Sequence, residues 1–408
     1  MATYFRLRRD GIAAEYKVVV IGAGPGGLAT AAALSRLGVQ ALVLERGPRV
    51  GTSWRRHYDR LHLNTVRWLS GLPQTPIPAR MGRWVARDDF IAYLELYAER
   101  NELEVRSGIE VQRIERRGDG WLIRTPTETI GAAAVVVATG YNNTPRVPDW
   151  PGADRFTGAL LHSRDYRNAE PFRGQNVLVV GLGSSGAEIA ADLAQGGAAR
   201  VRVAVRRGPN ILGRELFGIP TQLLGALAAP LPPRFVDRTA LRLQRFAFGD
   251  LTRYGVPPPA RGLVAELLDG RIPVIDTGFC RELAAGRVEA VPAVERFDGA
   301  QVVLAGGRRL RVDAVVAATG FRRNLEPLVG GLGVLRPDGT PAVHGPRTSP
   351  TAARLYFIGL TNDIEGSLFE IARDAPKIAR AIVDRAGEAA APCSPAASPA
   401  ENVPNAAR

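Results

Sequence analysis

Two stretches of the chain carry one pattern of apolar and polar positions: a continuous apolar run of strand length, a glycine-rich turn, then an alanine-rich segment with apolar residues at helical spacing. KVVVIGAGPGGLATAAALSRLG begins at Lys17 and NVLVVGLGSSGAEIAADLAQGG at Asn176. Each predicts a buried strand feeding a helix, and each is followed by another apolar run, VQALVLERG and ARVRVAVRRG, so two βαβ units are expected. Two further buried runs, AAAVVVATGYN (Ala132 to Asn142) and VDAVVAATGFR (Val312 to Arg322), close on A-T-G and an aromatic. They flank the second unit and are both expected to pair in the first domain, which makes the second unit an insertion. Towards the end, LYFIGLTNDIEGSLFEIARDAPKIARAI predicts a strand, a glycine at Gly359 and a helix. The expected fold class is α/β, with two Rossmann-like dinucleotide-binding domains, the second inserted into the first.

The turns carry the chemistry. Gly22, Gly24 and Gly27, with Pro25 and Gly26 between them, hold the G-x-G-x-x-G spacing. That spacing provides a tight turn, close approach of backbone to a pyrophosphate, and close packing of helix on strand. The helix start adds free N–H groups and the positive end of its dipole. VQALVLERG ends in Glu45, at the interval expected for an acid that holds two ribose hydroxyls. In the second unit Gly181, Gly183 and Gly186 repeat the spacing, Ser184 and Ser185 offer hydroxyls to a pyrophosphate, and Arg206 and Arg207 stand where the first unit has its acid. A guanidinium there pairs with a 2′-phosphate that a carboxylate would repel. One plain and one phosphorylated ribose in a single chain imply FAD and NADPH, with a hydride passing from nicotinamide to flavin. The expected domains are an N-terminal extension (1–15), an FAD-binding domain in two parts (16–165 and 311–385), an NADPH-binding domain (166–310) and a disordered Ala-, Pro- and Ser-rich tail (386–408).

Between the units lies FTGALLHSRDYR, residues 156–167, with no strand-like alternation and no helical stripe. Its Phe156, Gly158, His162 and Tyr166 match the F-x-G-x-x-x-H-x-x-x-Y/F fingerprint of the flavin-containing monooxygenases, at the place between two nucleotide units where that family carries it. With LERGPRVGTSWRRHYDRLHLN, DDFIAYLELYAE, GRELFG and RYGVPPP following in their order, residues 15–385 resemble this family, and most of all its YUCCA-type branch and bacterial cousins. The resemblance implies an NADPH- and O2-dependent FAD monooxygenase, in which reduced flavin takes up oxygen at C4a as a peroxide and passes one oxygen atom to a small organic substrate. It makes Asn64 the amide that stabilises this peroxide and Trp54 an aromatic beside the flavin. It also places Arg46, Ser53, Val111, Thr139, Gly140, Gly320 and Gly359 at the cofactors, and gives the fingerprint the task of joining the domains and positioning the nicotinamide, with His162 an organiser. The plant members oxidatively decarboxylate a 2-oxo acid, indole-3-pyruvate. Nitrogen or sulfur oxygenation and Baeyer-Villiger oxidation are the alternatives, the last disfavoured because Tyr166 stands where its specialists have Trp. The proline-broken apolar pieces from Ile211 to Gly262 are expected to line the substrate channel. One of their arginines, such as Arg214, would suit a substrate carboxylate, but the sequence does not choose among them.

Composition narrows the field. A formal charge of +13 suggests anionic partners, yet the chain has two lysines, Lys17 and Lys377, and no basic run interleaved with stacking aromatics, so no nucleic acid is expected. Anionic cofactors and substrates account better for part of the charge. No window approaches the roughly 18 apolar residues of a spanning helix, and no apolar run follows the basic N-terminus, so no membrane span and a cytoplasmic location are expected. Cys280 and Cys393 form no CxxC pair, and no metal site is expected. A flavoprotein that hands electrons to a disulfide, or a reductase that incorporates no oxygen, is the secondary reading, and a nucleotide-holding redox sensor lies beyond it. The oligomeric state is not legible. Replacing Arg206 and Arg207 together by alanine should raise the KM for NADPH about 10- to 100-fold, the worth of a charge-assisted hydrogen bond, and that for NADH far less; equal effects would count against the phosphate assignment.

Overall fold

The computed structural model describes residues 13–228, 230–361 and 366–390. A first sheet runs in the order Glu104–Ser107, Ala41–Glu45, Ala14–Ile21, Thr129–Val137, Gly120–Arg124 and Arg113–Arg117, with Leu355–Phe357 also paired to Thr129–Val137. Pairing is parallel from Glu104–Ser107 to Thr129–Val137 and at Leu355–Phe357, and antiparallel in the remaining hairpin. Val20 lies beside Val43 on one side and Val136 on the other. A strand so placed is covered on both faces, which is why its sequence is continuously apolar. Helices Pro25–Ser35, Arg87–Arg100 and Ser367–Ala390 belong to one face, where Leu28, Phe90 and Ile378 share a core with Val18 and Val43. Trp121, Leu325 and Phe357 pack with Val19 and Leu42 on the other.

The second sheet is parallel throughout, in the order Val288–Val291, Arg200–Ala204, Asn176–Val180, Ala314–Ala317 and Ala159–His162. Helix Ser184–Gln195 supplies Ile189 and Leu193 to a core with Val177, Val203 and Phe279.

Two strands lie elsewhere than expected. The run Val312 to Arg322, read as a return to the first domain, forms Ala314–Ala317 between two strands of the second sheet. The physical reason is that each glycine turn needs its own neighbouring strand. A Cβ on Gly22 would lie 2.6 Å from the Ala138 carbonyl oxygen, and one on Gly181 would lie 2.6 Å from that of Ala318. Each A-T-G therefore belongs to the unit whose turn it packs against, and the chain re-enters the first sheet at Leu355–Phe357. The fingerprint segment, read as an irregular connection in the first domain, contributes Ala159–His162 as the edge strand of the second sheet.

The termini also differ from expectation. The first strand begins at Ala14, inside the proposed extension, and residues 1–12 lie outside the described residues. Helix Ser367–Ala390 continues through the first five positions of the expected disordered tail, whose remainder lies outside the described residues. Among the described residues no helix is long and apolar enough to cross a membrane.

Gly158 opens the edge strand, and a Cβ there would sit 2.6 Å from the Asp313 carbonyl oxygen and 2.6 Å from the Phe156 ring. Backbone must move to admit it. Gly158→Ala should cost about 1–3 kcal/mol, the usual range for overpacking, read as a lower urea midpoint; an unchanged midpoint would contradict this contact.

Candidate active site

The first turn is built by exclusion of side-chain carbon. A Cβ on Gly27 would lie 1.9 Å from the Gly22 carbonyl oxygen, so the helix sits directly on its strand. At Gly24 nothing lies within 4 Å of the Cβ position, and no side chain caps the helix that follows. Free N–H groups and the helix dipole therefore face open space, the cradle that a polyphosphate fits. Glu45 is buried at the end of its strand. Its Oε2 accepts from the Ala23 N–H at 2.9 Å and its Oε1 from the Gly47 N–H at 2.8 Å. These bonds fix the carboxylate while leaving lone pairs for two hydroxyls.

The second turn repeats the first. A Cβ on Gly186 would lie 2.0 Å from the Gly181 carbonyl oxygen, Gly183 has nothing within 4 Å, and helix Ser184–Gln195 also starts without a side-chain cap. Among the described residues, Thr139 Oγ1, beside the first turn, and Ser184 Oγ, in the second, are buried hydroxyls with no hydrogen-bond partner. Buried polar atoms ordinarily have one. Two open cradles and two unsatisfied donors fit a pair of dinucleotides.

One cavity of about 1410 Å³ joins the turns. That exceeds the roughly 300–1,000 Å³ of an ordinary small-molecule pocket. From the first unit Gly22, Gly24, Pro25, Gly26, Glu45, Arg46, Ser53, Trp54, Asn64, Val111, Thr139, Gly140 and Gly359 line it. From the second come Gly183, Ser184, Ser185, Gly186 and Gly320. Trp54 stands edge-on to Phe90 with ring centroids 4.6 Å apart, and Arg46 donates to Asn143 Oδ1 at 2.8 Å. Gly27 and Gly181 are packing positions rather than cavity wall. Arg206 and Arg207 are exposed just beyond Arg200–Ala204 and are not among the lining residues. The apolar segment lines the cavity through Leu224, Leu231, Phe235 and Leu243, and the wall continues past 262 to Leu263, Ile272 and Ile275.

The fingerprint residues do not line the cavity; they hold the second unit together. Phe156 meets Phe297 edge-on at 5.0 Å. His162 Nε2 donates to the Gly320 carbonyl at 3.1 Å while its Nδ1 accepts from the Arg164 N–H at 3.1 Å, which sets a neutral ring of one tautomer. Burial also holds its pKa below the ordinary value. Tyr166 is fully buried and donates to Asp192 Oδ2 at 2.6 Å.

The family model for pyridine nucleotide-disulphide oxidoreductases matches residues 19–211. Indole-3-pyruvate monooxygenase YUCCA1 of Oryza sativa subsp. japonica is 35% identical over 371 residues, covering 89% of this chain and 90% of the relative. Probable indole-3-pyruvate monooxygenase YUCCA3 of Arabidopsis thaliana is 34% identical, covering 90% and 86%. The flavin-containing monooxygenase from Stenotrophomonas maltophilia superposes with a TM-score of 0.70 at 25% identity, covering 91% of this chain and 99% of that one. The chain belongs to the flavin-containing monooxygenases, in their YUCCA-like branch.

Sequence reasoning missed one part of this flavin-dependent monooxygenase, the polar seam between its units. Tyr58, buried in the first, donates to Glu188 Oε2 on helix Ser184–Gln195 at 2.7 Å. Nearby, Asp59 N–H donates to the Arg167 carbonyl at 2.8 Å, and Arg167 donates to the carbonyls of Arg55 and His57 at 2.6 and 2.8 Å. Burial first, then Arg87 and Arg167, hold His57 down to about 4, so it is neutral. One signal was available: an acid on the buried side of an alanine-rich helix needs a partner. Burial pushes the Glu188 carboxyl above its ordinary value, against the pull of Tyr58, Arg214 and Arg60. A carboxyl raised on folding binds more protons in the folded state, so its contribution to stability is present below the unfolded value of about 4.3 and is lost as pH rises through the folded value. Glu188→Gln should therefore gain stability relative to wild type as pH rises through that window, measured as thermal midpoints across pH; parallel profiles would contradict the assignment.

Proposed function

We propose that this monooxygenase binds FAD in its first unit and NADPH in its second, and oxidatively decarboxylates an aryl 2-oxo acid such as indole-3-pyruvate. The observation that carries the reading is the single cavity in which both open glycine cradles, Asn64 and an apolar wall meet. The substrate class rests on the relatives, which are named as indole-3-pyruvate monooxygenases. The balance is R–CO–COO⁻ + O2 + NADPH + H⁺ → R–COO⁻ + CO2 + NADP⁺ + H2O, with one oxygen atom of O2 in the new carboxylate and the other in water.

Bound FAD supplies the redox chemistry, accepting a hydride and delivering an oxygen atom. The chain's residues bind and shield. Glu45 holds the ribose of the first dinucleotide, and Arg206 and Arg207 answer the 2′-phosphate of the second. Asn64, which lines the cavity, would offer its amide to the oxygen-transferring group. Trp54 and Leu368 also line the cavity, and helices Thr221–Ala228 and Pro233–Phe248 cover the apolar side. Keeping water from this space is what directs oxygen to substrate rather than to hydrogen peroxide. Cys280 is buried, with its thiol pushed up by burial, and has no neighbouring cysteine in the sequence for disulfide exchange.

The test is to supply the purified protein with FAD, NADPH and ¹⁸O2 together with indole-3-pyruvate, phenylpyruvate, an amine and a thioether, and to weigh the products. The expected result is an acid one carbon shorter that carries one ¹⁸O. Only an N- or S-oxide would overturn the decarboxylation, and a colourless protein that takes up no FAD would overturn the whole reading.

A further inference from the structure

Arg214 follows the strand Ile211–Gly213 and reaches from the second unit to the first. Its Nη2 donates to the His62 carbonyl at 3.2 Å and, at 3.5 Å, to Oδ1 of Asn64. The guanidinium lies 5.6 Å over the Trp84 ring, and its buried Nε has no acceptor. It is half-buried in the cavity wall. Among the described residues no carboxylate oxygen lies within 4.0 Å of it. Glu188 acts on it from a greater distance, and that carboxyl is engaged by Tyr58.

The other lining arginines differ. Arg46 is held by Asn143 and Arg164 is paired with Asp165 at 3.1 Å; Arg56 is exposed. Arg214 alone among these four touches Asn64 and stands on the segment that carries the apolar wall. Nη1 and Nε of this partly desolvated guanidinium carry no acceptor among the described residues, and such a group is a strong receiver for a carboxylate because the bonds are charge-assisted.

We propose that Arg214 is the anchor for the substrate's carboxylate, a role that rests on the 2-oxo acid reading above. The cavity takes an amphiphilic anion. Its charged end lies on Arg214, which brings the adjoining 2-oxo carbon towards Asn64, and its apolar body lies against Leu224, Leu231, Phe235 and Leu243. The bond from Arg214 to Oδ1 also sets the amide of Asn64, leaving Nδ2 as the donor that faces the reaction. Specificity follows from charge: a neutral ligand of the same shape leaves the guanidinium unpaired.

The experiment measures binding without turnover, by equilibrium dialysis of phenylpyruvate and of its neutral amide, phenylpyruvamide, against FAD-loaded protein with NADP⁺ and no NADPH. Wild type should bind the carboxylate about 10- to 100-fold more tightly than the amide. Arg214→Gln should bring that ratio to within about threefold by weakening the acid, and Arg214→Lys should restore part of it. A wild-type ratio near one overturns the proposal even if no variant folds, and so does an Arg214→Gln protein that keeps the preference. The two readings fail separately. Carboxylate preference that depends on Arg214, in an enzyme that decarboxylates nothing, removes the proposed reaction and keeps the anchor, whereas decarboxylation with preference intact in Arg214→Gln removes the anchor alone.

Discussion

The whole site depends on a contact between two backbones. In each unit the third glycine lies so close to the first that a side-chain carbon would fall about 2 Å from a carbonyl oxygen, 1.9 Å at Gly27 and 2.0 Å at Gly186. The helix is thereby seated at the strand end with its first N–H groups aimed outward, and neither helix places an acid in its first turn to answer them. The positive ends of two helices thus open on one cavity. Anions can be held there by backbone alone, which frees the side chains of the wall for other work.

The second constraint is distance between the two cradles. Among the described residues no single strand or helix spans both units. The seam provides the spacing instead: Tyr58 on Glu188, Asp59 on Arg167, and Arg60 on Asp192 and Gln195. These bonds are polar, while the Tyr58 ring and Leu61 pack into the apolar core of the second unit, Tyr58 edge-on to Tyr166 at 6.4 Å. The short stretch from Arg55 to Asn64 thus carries both the seam and Asn64, a residue of the cavity wall.

Much of this was legible from local pattern. Glycine spacing, the strand before it, the helix after it and Glu45 all lie within a few dozen residues, and local sequence records them. What escaped was set by partners far along the chain. Two apolar runs closing on A-T-G have the same composition, and nothing in the run from Val312 tells which sheet it enters; only the packing of Ala318 on Gly181 does. Ala159–His162 is four residues long, too short to display a period. Tyr58 and Glu188 are 130 positions apart, and only the oddity of a buried acid hints at their bond. The fingerprint was visible as a motif, whereas its physical task was not: its four residues pack against Phe297, Asp313, Gly320 and Asp192 rather than against anything in the cavity.

The apolar wall is organised on a different principle from the cradles. It is an excursion that leaves the second unit at Ile211–Gly213 and returns at Val274–Asp276, two short strands paired in parallel that pin its base. Between them the helices carry Leu224, Phe235 and Leu243 to the cavity, and neither supplies a strand to the second sheet. The excursion also meets the first unit, where Gln222 accepts from the Val66 N–H at 3.2 Å and Glu215 pairs with Arg83 at 2.9 Å. Arg214 sits at its base, where it reaches His62 and Asn64. A fold divided in this way keeps the two glycine cradles on the sheets and the apolar wall on an excursion from them, with one arginine at the join.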